Sequence, residues 1–293
     1  MRPLIFWVAL GLIGLSWIAN SFYAHAQKLN EPIFLEQYTK VEATEGMPAL
    51  VFYYLTNKDD RSSASAVNIG GVGAHVNGTH FSDEQDRSDL NMQTFTHHAL
   101  RKMEVELPDY VLDQLIKDGT CTFTKMTVYF STGGQMEAPI GAIILQEPGE
   151  ETEPLLHMSS GINSEWRDDQ FQAAEPLVIE KFEIIPFVEG ETMIKVDRNV
   201  PSQSSAFEWE QLPGVNVQHL ELPLSMEAGD NLYVYAKRLN GYMEPLLSIS
   251  GTTDSGEEFH TGMYSSFAPQ PYLTQEQVDQ IIQEKSKKEA PAS

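Results

Sequence analysis

Cysteine is almost absent from this chain of 293 residues, because Cys121 is the only one. One cysteine cannot form an intramolecular disulfide, and zinc or iron–sulfur sites built from several thiolates are excluded. An exported protein without disulfides is typical of a bacterium rather than of a eukaryotic secretory route. Cys121 lies in a strand-like run over 120–130, and we interpret it as a small buried residue.

Positive charge is also scarce. The chain has 19 Lys and Arg against 42 Asp and Glu, which gives a formal net charge of −23. Such a surface repels nucleic acid and anionic lipid headgroups, because both are bound through Lys and Arg. The acidic surface predicts solubility first, and it is also compatible with a divalent cation or a basic partner.

The motifs of common enzymes are missing too. The chain has no Gly-x-Ser-x-Gly elbow, no Ser-x-x-Lys motif and no phosphate-binding Gly-x-x-x-x-Gly-Lys loop. The glycines between 67 and 78 lack the strand–turn–helix context of a dinucleotide site, so they indicate a bent strand. The sequence favours a protein that is not an enzyme. A hydrolase whose carboxylate or histidine site is scattered along the chain is the alternative.

A long apolar run occupies positions 3–23, and only Met1 and Arg2 precede it. It fits a signal peptide, since a small-x-small site ends at Ala26 and cleavage there leaves Gln27 first. It is also long enough for an uncleaved membrane anchor with its N-terminus inside. Both alternatives predict that segment 1–26 exports the rest of the chain, as a secreted or single-pass anchored protein.

The remaining sequence predicts a mainly β protein. Short runs with period-two alternation are separated by turns rich in Gly, Asp, Asn and Thr, which favours β-sandwiches over barrels. We expect two Ig-like β-sandwich units in tandem after the N-terminal hydrophobic helix. The predicted organisation is a first sandwich over 28–146, an acidic linker over 147–175, a second sandwich over 176–268 and a C-terminal helix over 273–288.

Two helices are predicted outside these sandwiches. The first is a short helix over 164–174. The second begins at Thr274, where Gln277 completes a capping box, and it carries an apolar stripe of Val278, Ile281 and Ile282. We expect this short amphipathic helix to pack on the second sandwich, and binding to a partner is the alternative.

Oxygen-bearing side chains are densest between 81 and 89. This loop offers four carboxylates as candidate Ca²⁺ ligands, namely Asp83, Glu84, Asp86 and Asp89. The loop lacks the EF-hand spacing, so a solvated acidic loop is the competing interpretation. No other cofactor is predicted.

The histidines and aromatic residues give weaker signals. His97 and His98 are adjacent, so on a strand they face opposite sides and cannot bind one ion. His219 and Glu221 would share a face if 217–224 is a strand, as its alternation predicts. A sugar or peptide groove could be lined by aromatic side chains, namely Trp166, Trp209, Tyr233, Tyr235 and Tyr242, although most such faces are core.

Taken together, these patterns predict a non-catalytic bacterial protein of the cell envelope, either secreted or tethered, that acts as a binding or assembly module. Its partner is expected to be a protein or another envelope component and not nucleic acid. Contact with the membrane is expected only through the N-terminal segment, if that segment is uncleaved. The alternatives are the scattered-site hydrolase and the ectodomain of a sensory complex, which would need a partner for its cytoplasmic output.

Overall fold

The structure is a computed structural model that describes residues 6–8, 10–18, 27–42, 49–77, 91–108, 112, 116, 119–147, 154–162, 165–186, 193–198, 208–239, 242–263 and 271–289. The described residues are mainly β, with several sheets, helical residues at 6–8 and 10–18, and a C-terminal helix, Gln275–Glu289. These coarse features confirm the mainly β prediction with a helix at each end. Over the described ranges, no helix is both long and apolar enough to cross a membrane.

The first unit is a nine-stranded sheet. Its strands are β1 (Ile33–Phe34), β2 (Gln37–Glu42), β3 (Leu50–Asn57), β4 (Ala64–Ile69), β5 (Val72–Asn77), β6 (Asn91–Thr94), β7 (His98–Glu106), β8 (Thr120–Phe130) and β9 (Gln135–Gln146). Their spatial order is β1-β3-β7-β5-β4-β8-β9-β2, and β6 also pairs with β7. Strand β1 is antiparallel to β3, whereas β2 is parallel to β9. One short stretch of chain therefore forms both ends of the sheet.

Strand β3 is apolar from Leu50 to Leu55, and both of its faces are buried there. Leu50, Phe52 and Tyr54 point into the core of the first unit, together with residues of β4, β8 and β9. Tyr53 and Leu55 point to the opposite face, where they join a separate apolar cluster. The period-two geometry of a strand thus divides one continuous apolar run between two cores.

The C-terminal helix covers this second face. Its apolar residues Val278 and Ile281 pack against Tyr53, Leu55 and Leu100. The prediction that the helix packs on the second sandwich is therefore wrong. The helix packs on the first unit because strands β3 and β7 present an apolar face there that would otherwise meet water.

Hydrogen bonds fix the start of this helix. The Thr274 amide donates to Oε1 of Gln277 over 2.8 Å, and the Gln277 amide donates to Oγ1 of Thr274 over 3.3 Å. The predicted capping box is therefore formed. The side chain of Gln93 holds the backbone of Leu273, and Oε1 of Gln275 accepts from both the amide and the hydroxyl of Thr96.

The second unit has two antiparallel sheets. The five-stranded sheet has the order β10-β11-β16-β13-β14, and the four-stranded sheet has the order β15-β12-β17-β18. The strands are β10 (Leu155–Ile162), β11 (Trp166–Ala173), β12 (Leu177–Ile185), β13 (Ile194–Asp197), β14 (Val215–Asn216), β15 (Leu224–Met226), β16 (Asn231–Lys237), β17 (Leu246–Thr253) and β18 (Glu258–Met263). Buried residues of both sheets, such as Phe171 and Ile249, form one core.

Two local predictions in this unit are wrong. The helix predicted over 164–174 is strand β11, because its residues alternate between Phe171 and Ala173 in the core and polar residues on the other face. The strand predicted over 217–224 begins as a 3₁₀ helix, Val217–His219. Strands β10 and β11 also lie inside the range predicted as the linker, while the position of the domain boundary stays a prediction.

Candidate functional site

Strand β10 forms an open edge of the second unit. Among the described residues it pairs with β11 alone. Leu155 is fully buried in the core, but three large apolar side chains further along are exposed: Leu156 by 41%, Met158 by 51% and Ile162 by 60%. The register shifts between His157 and Ser159, so Met158 lies in a β-bulge. We refer to Leu155–Ile162 as the β10 edge.

The other edges of these two sheets are better protected. Strand β14 has two residues and β15 has three, and β18 carries the charged Glu258. Short length and charge are common protections against unwanted strand pairing, as are lysine and proline within the edge. The β10 edge has eight residues and contains no Lys, Arg, Asp, Glu or Pro. The bulge at Met158 is the one such protection that it carries.

A network of charged side chains lies next to this edge, on strand β11 and on the residues that contact it. In β11, Asp169 is 1% exposed, and Arg167 donates to Oδ1 from Nε and lies with Nη2 near Oδ2, each over 3.0 Å. Arg167 also lies 3.7 Å from Glu244, which accepts from Nη2 of Arg238 over 2.8 Å. Two cations thus balance two anions in a desolvated position. Loss of either partner of a pair would leave an uncompensated buried charge.

Next to this network, His157 and Ser160 resemble part of a catalytic triad, but their geometry is different. Oγ of Ser160 lies 3.0 Å from Nε2 of His157, and Oδ1 of Asp169 lies 3.5 Å from the same Nε2. In a Ser-His-Asp relay the serine and the aspartate use opposite nitrogens of the imidazole. The arrangement therefore does not provide a nucleophile relay. His157 instead packs its ring edge-on against Phe171, with 5.5 Å between centroids.

The predicted aromatic groove is a closed cluster. Trp166, Trp209, Tyr233 and Tyr235 meet on the outer face of the five-stranded sheet together with Leu212, and all five are buried. The rings of Trp166 and Tyr235 are edge-to-face at 5.9 Å. Because none of these rings is open to solvent, the cluster is packing rather than a sugar or peptide groove. The fifth predicted residue, Tyr242, lies elsewhere, against the helix-covered face of the first unit.

Two lysines hold Trp209 in this cluster. Nζ of Lys195 lies 5.1 Å from the ring centroid of Trp209 and donates to its carbonyl over 2.8 Å, while Nζ of Lys237 lies 5.8 Å from the ring. Burial lowers the pKa of Lys195, against the opposing charge of Glu210. Burial and then the charge of Asp197 raise the pKa of the Tyr235 hydroxyl, which has no hydrogen-bond partner within the described residues.

Gly161 of β10 and Asp168 of β11 approach each other closely on that outer face. They are directly opposite each other in the ladder, and a Cβ at Gly161 would collide with the carboxylate of Asp168. Burial, and then the charge of Asp169, raise the pKa of Asp168. The close approach places a carboxylate over the backbone of the β10 edge, and a side chain at 161 would require that carboxylate to move.

A small cleft lies where the first unit, residues 242–243 and the C-terminal helix meet. Its volume is about 210 Å³, below the 300–1,000 Å³ that is common for small-molecule sites. Nearby, the Tyr38 hydroxyl donates to Glu36 over 3.4 Å, and burial followed by the charge of Glu36 raises the pKa of Tyr38 to about 12. We interpret this cleft as a contact zone between parts of the chain.

The structure tests the predicted metal ligands only in part. All four calcium candidates, Asp83, Glu84, Asp86 and Asp89, lie outside the described residues, so the calcium site stays a prediction. Over the residues that are described, no group of three or more His, Cys, Asp or Glu could hold a metal ion. His219 lies in the 3₁₀ helix, so the strand face predicted to pair it with Glu221 is wrong.

Contacts to the folded chain begin at Gln27, while Ala26 lies outside the described residues. The buried His98 donates from Nε2 to the carbonyl of Gln27 over 2.8 Å. The backbone of Leu29 exchanges two hydrogen bonds with the side chain of Asn57, of 2.9 and 2.8 Å. Removal of residues 1–26 would leave all of these contacts in place.

Sequence reasoning missed the residues that surround the β10 edge. His157, Arg167, Asp169, Arg238 and Glu244 have no motif spacing, and strand pairing alone brings them together. The one available signal was composition, since the residues from 155 to 162 are apolar or small and lack charge directly after an acidic run.

Comparisons with known proteins do not assign a family. No protein-family model and no curated protein matches the chain. One of the solved structures that it matches is a marsupial T cell receptor, at 6% identity and a TM-score of 0.19, over 81% of this chain. The match spans 62% of the receptor chain. A TM-score this low says nothing about the fold or the function of this protein.

Proposed function

We propose that this protein is a non-catalytic binding or assembly module of a bacterial cell envelope, exported through its N-terminal segment. The observation that supports this function is the β10 edge, which combines three exposed apolar side chains with a strand side on which no described strand pairs. A long strand edge without charged residues or proline is a ready template for pairing with another chain. A protein partner is therefore the function that this site supports best.

The residues around the edge support a rigid interface. The charge network and the aromatic cluster lie on the two faces of β11, and each cluster is buried. An interface on a rigid strand loses less conformational entropy on binding than one on a flexible loop. The same packing leaves His157 and Ser160 without relay geometry, which supports binding rather than hydrolysis.

We further propose that both units are Ig-like sandwiches. In the first unit, β1 and β2 pair at opposite ends of one strand order that encloses a single core, and in the second unit two antiparallel sheets share a core. Both arrangements are compatible with sandwich architecture. For the N-terminal segment, sequencing of the exported protein decides between the two alternatives: Gln27 in first position means cleavage, and a retained apolar run means an anchor.

The function is tested by co-purification of the full chain from its native envelope. The variant Met158→Lys/Ile162→Lys places two charges on the β10 edge. The control Val215→Lys/Tyr272→Lys places two charges on residues that are exposed by 47% and 82%, away from that edge. We expect one reproducible partner that the control retains and that the β10 variant loses by about 10-fold or more, because lysine on a strand edge blocks pairing.

The control also verifies folding, since both variants should keep the melting temperature of the wild type. A partner retained equally by both variants would remove the β10 edge as the interface. The absence of any reproducible partner in the wild type would overturn the binding function itself.

A further inference from the structure

We infer that the partner of the β10 edge is an extended, basic peptide segment that adds to the five-stranded sheet as a further strand. This inference rests on the proposed binding function and names the chemistry of its partner. Three observations carry it: the free edge, the pattern of side chains along it, and the distribution of charge around it.

The backbone of β10 provides the first part of the recognition. A strand that is paired on one side leaves alternate N–H and C=O groups directed away from the sheet, and an extended peptide can pair with them. Within the described residues, no other strand occupies that side of β10. Main-chain hydrogen bonds of this kind give affinity for an extended segment without a requirement for one particular sequence.

The side chains of β10 offer one exposed apolar contact on each face of the sheet and leave space between them. Leu156 lies on the outer face of the sheet, opposite Gln172, and Ile162 lies on the other face, opposite Arg167. The residues between them, Ser159, Ser160 and Gly161, are small. A strand added here would place an apolar side chain beside Leu156 on one face or beside Ile162 on the other, and it would meet little steric obstruction between them.

Charge selects a basic partner. The segment that leads into β10, residues 147–154, has four glutamates and no Lys or Arg, and no Lys or Arg follows until Arg167. Arg167 is already engaged by Asp169 and Glu244. Together with the net charge of −23, this gives the edge negative surroundings, in which the one Lys or Arg of the neighbouring strand β11 is already paired. Lys and Arg on the incoming strand complement that field.

A second copy of this chain fits less well. Each copy carries the same net charge of −23, so edge-to-edge pairing of two copies brings together surfaces of one sign. A basic segment meets no such repulsion. Pairing between two copies is therefore an outcome that the experiment must detect, rather than the occupant that the structure favours.

The test uses the full chain and three fluorescently labelled peptides. The first is Lys-Val-Thr-Val-Lys-Ile-Thr-Val-Lys, the second has glutamate at each lysine, and the third keeps the lysines but has proline at each threonine. Fluorescence anisotropy at low salt measures each Kd. We expect the basic peptide to bind about 10-fold or more tightly than the acidic one and than the proline peptide, which cannot complete a ladder.

The variants used above assign the binding to the edge. Met158→Lys/Ile162→Lys should weaken binding of the basic peptide by about 10-fold, whereas Val215→Lys/Tyr272→Lys should leave its Kd unchanged. Hydrogen exchange of the amides in β10 should slow when the basic peptide is bound, because those amides become part of a ladder.

Three results would overturn the inference. They are equal binding of the basic and acidic peptides, equal binding of the proline peptide, and a dimer in light scattering that the β10 variant converts to a monomer. If a native partner is lost in the β10 variant while the basic peptide does not bind, the partner chemistry is wrong and the proposed function stands. If neither partner nor peptide binds, both proposals fail.

Discussion

At the scale of single residues, Arg101 shows how a buried charge can organise a loop. Its guanidinium donates to the carbonyls of Ser62 and Asp60, each over 2.6 Å, and to Oδ1 of Asn91 over 3.0 Å. The side chain is almost completely buried. These acceptors belong to the turn between β3 and β4 and to β6, so one arginine fixes three backbone segments at the end of the first core.

We expect Arg101→Met to lower the free energy of unfolding by about 3 kcal/mol, because three partly buried acceptors lose their donor. Methionine keeps most of the apolar stem, which separates the loss of hydrogen bonds from the loss of packing. Urea unfolding followed by circular dichroism measures the change. The exposed Arg61→Met is the control and should stay within about 0.5 kcal/mol of the wild type. A small effect at Arg101 would mean that solvent replaces the guanidinium.

Asp168 gives a prediction about pH. Because its pKa is raised in the folded protein, the native state binds more protons than the unfolded state just above the ordinary pKa, and stability falls as pH rises through that window. Asp168→Asn removes this loss. We expect its melting temperature to exceed that of the wild type by about 1–3 °C at pH 7 and to converge with it near pH 4.

A scan of melting temperature against pH for both proteins checks this expectation. The exposed Asp254→Asn removes one negative charge without the burial of Asp168, so it should follow the wild type across the range. A gain for Asp168→Asn that persists at low pH would show that burial of the charged form is not its cause.

Contacts between residues close together in the sequence could be predicted, whereas contacts between residues far apart in the sequence could not. The pairing of Thr274 with Gln277 depends on residues three positions apart, and the structure forms it. The network around Asp169 depends on residues as far as 77 positions apart, because Arg167 and Glu244 meet only after β11 and β16 pair. No local sequence pattern predicts these contacts. In the sequence, the buried Asp169 stands in a polar run and cannot be distinguished from an exposed aspartate.

At the scale of elements, the docking of the C-terminal helix depends on a narrow apolar stripe. Val278 is fully buried against the face formed by Tyr53, Leu55 and Leu100. We expect Val278→Asp to release the helix and to destabilise the first unit by about 3 kcal/mol or more, because it buries an unpaired charge. Gln280→Asp introduces the same charge on the exposed face and is the control.

Hydrogen exchange with mass spectrometry distinguishes the two variants. In Val278→Asp, amides of Gln275–Glu289 should exchange at rates typical of an undocked helix, while amides of β11 and β16 should be unchanged. If the second unit loses protection instead, the helix contributes more to that unit than its contacts indicate.

The close approach of β10 and β11 gives a second prediction at this scale. Gly161→Ala should destabilise the β10 edge by about 1–3 kcal/mol, since the new methyl group overlaps the Asp168 carboxylate. The double variant Gly161→Ala/Asp168→Ser should recover most of that loss, and thermal unfolding of the four proteins of the cycle measures the coupling. Additive losses would show that the backbone, rather than the carboxylate, resists the methyl group.

Elements with strong periodicity were predictable, and elements with buried polar residues were not. The C-terminal helix follows its predicted pattern, whereas β11 was predicted as a helix because Asp168, Asp169 and Gln170 conceal its alternation. The partner of the C-terminal helix could not be predicted, since a stripe gives the face that a helix buries but not the surface that receives it. The receiving surface is the second apolar face of β3, which exists because the side chains on both faces of that strand are apolar.

At the scale of the whole molecule, the net charge of −23 predicts how the proposed partner associates. Attraction between the acidic chain and a basic segment should raise the association rate at low salt, and screening should reduce it as salt rises. For the basic peptide, we expect the association rate to fall by about 10-fold between 20 and 500 mM NaCl, with little change in the dissociation rate. Stopped-flow anisotropy measures both rates. A salt effect confined to dissociation would indicate short-range contacts instead.

The packing of the C-terminal helix on the first unit also determines which part of the molecule bears tension when the chain is pulled. Gln27 is held by His98, and Gln275 is held by Thr96, so both ends of the folded chain are fastened beside the same turn. The second unit lies between β9 and this helix in the chain. If the chain is pulled from its two ends, tension passes through the first unit, and the β10 edge stays unloaded until the helix detaches.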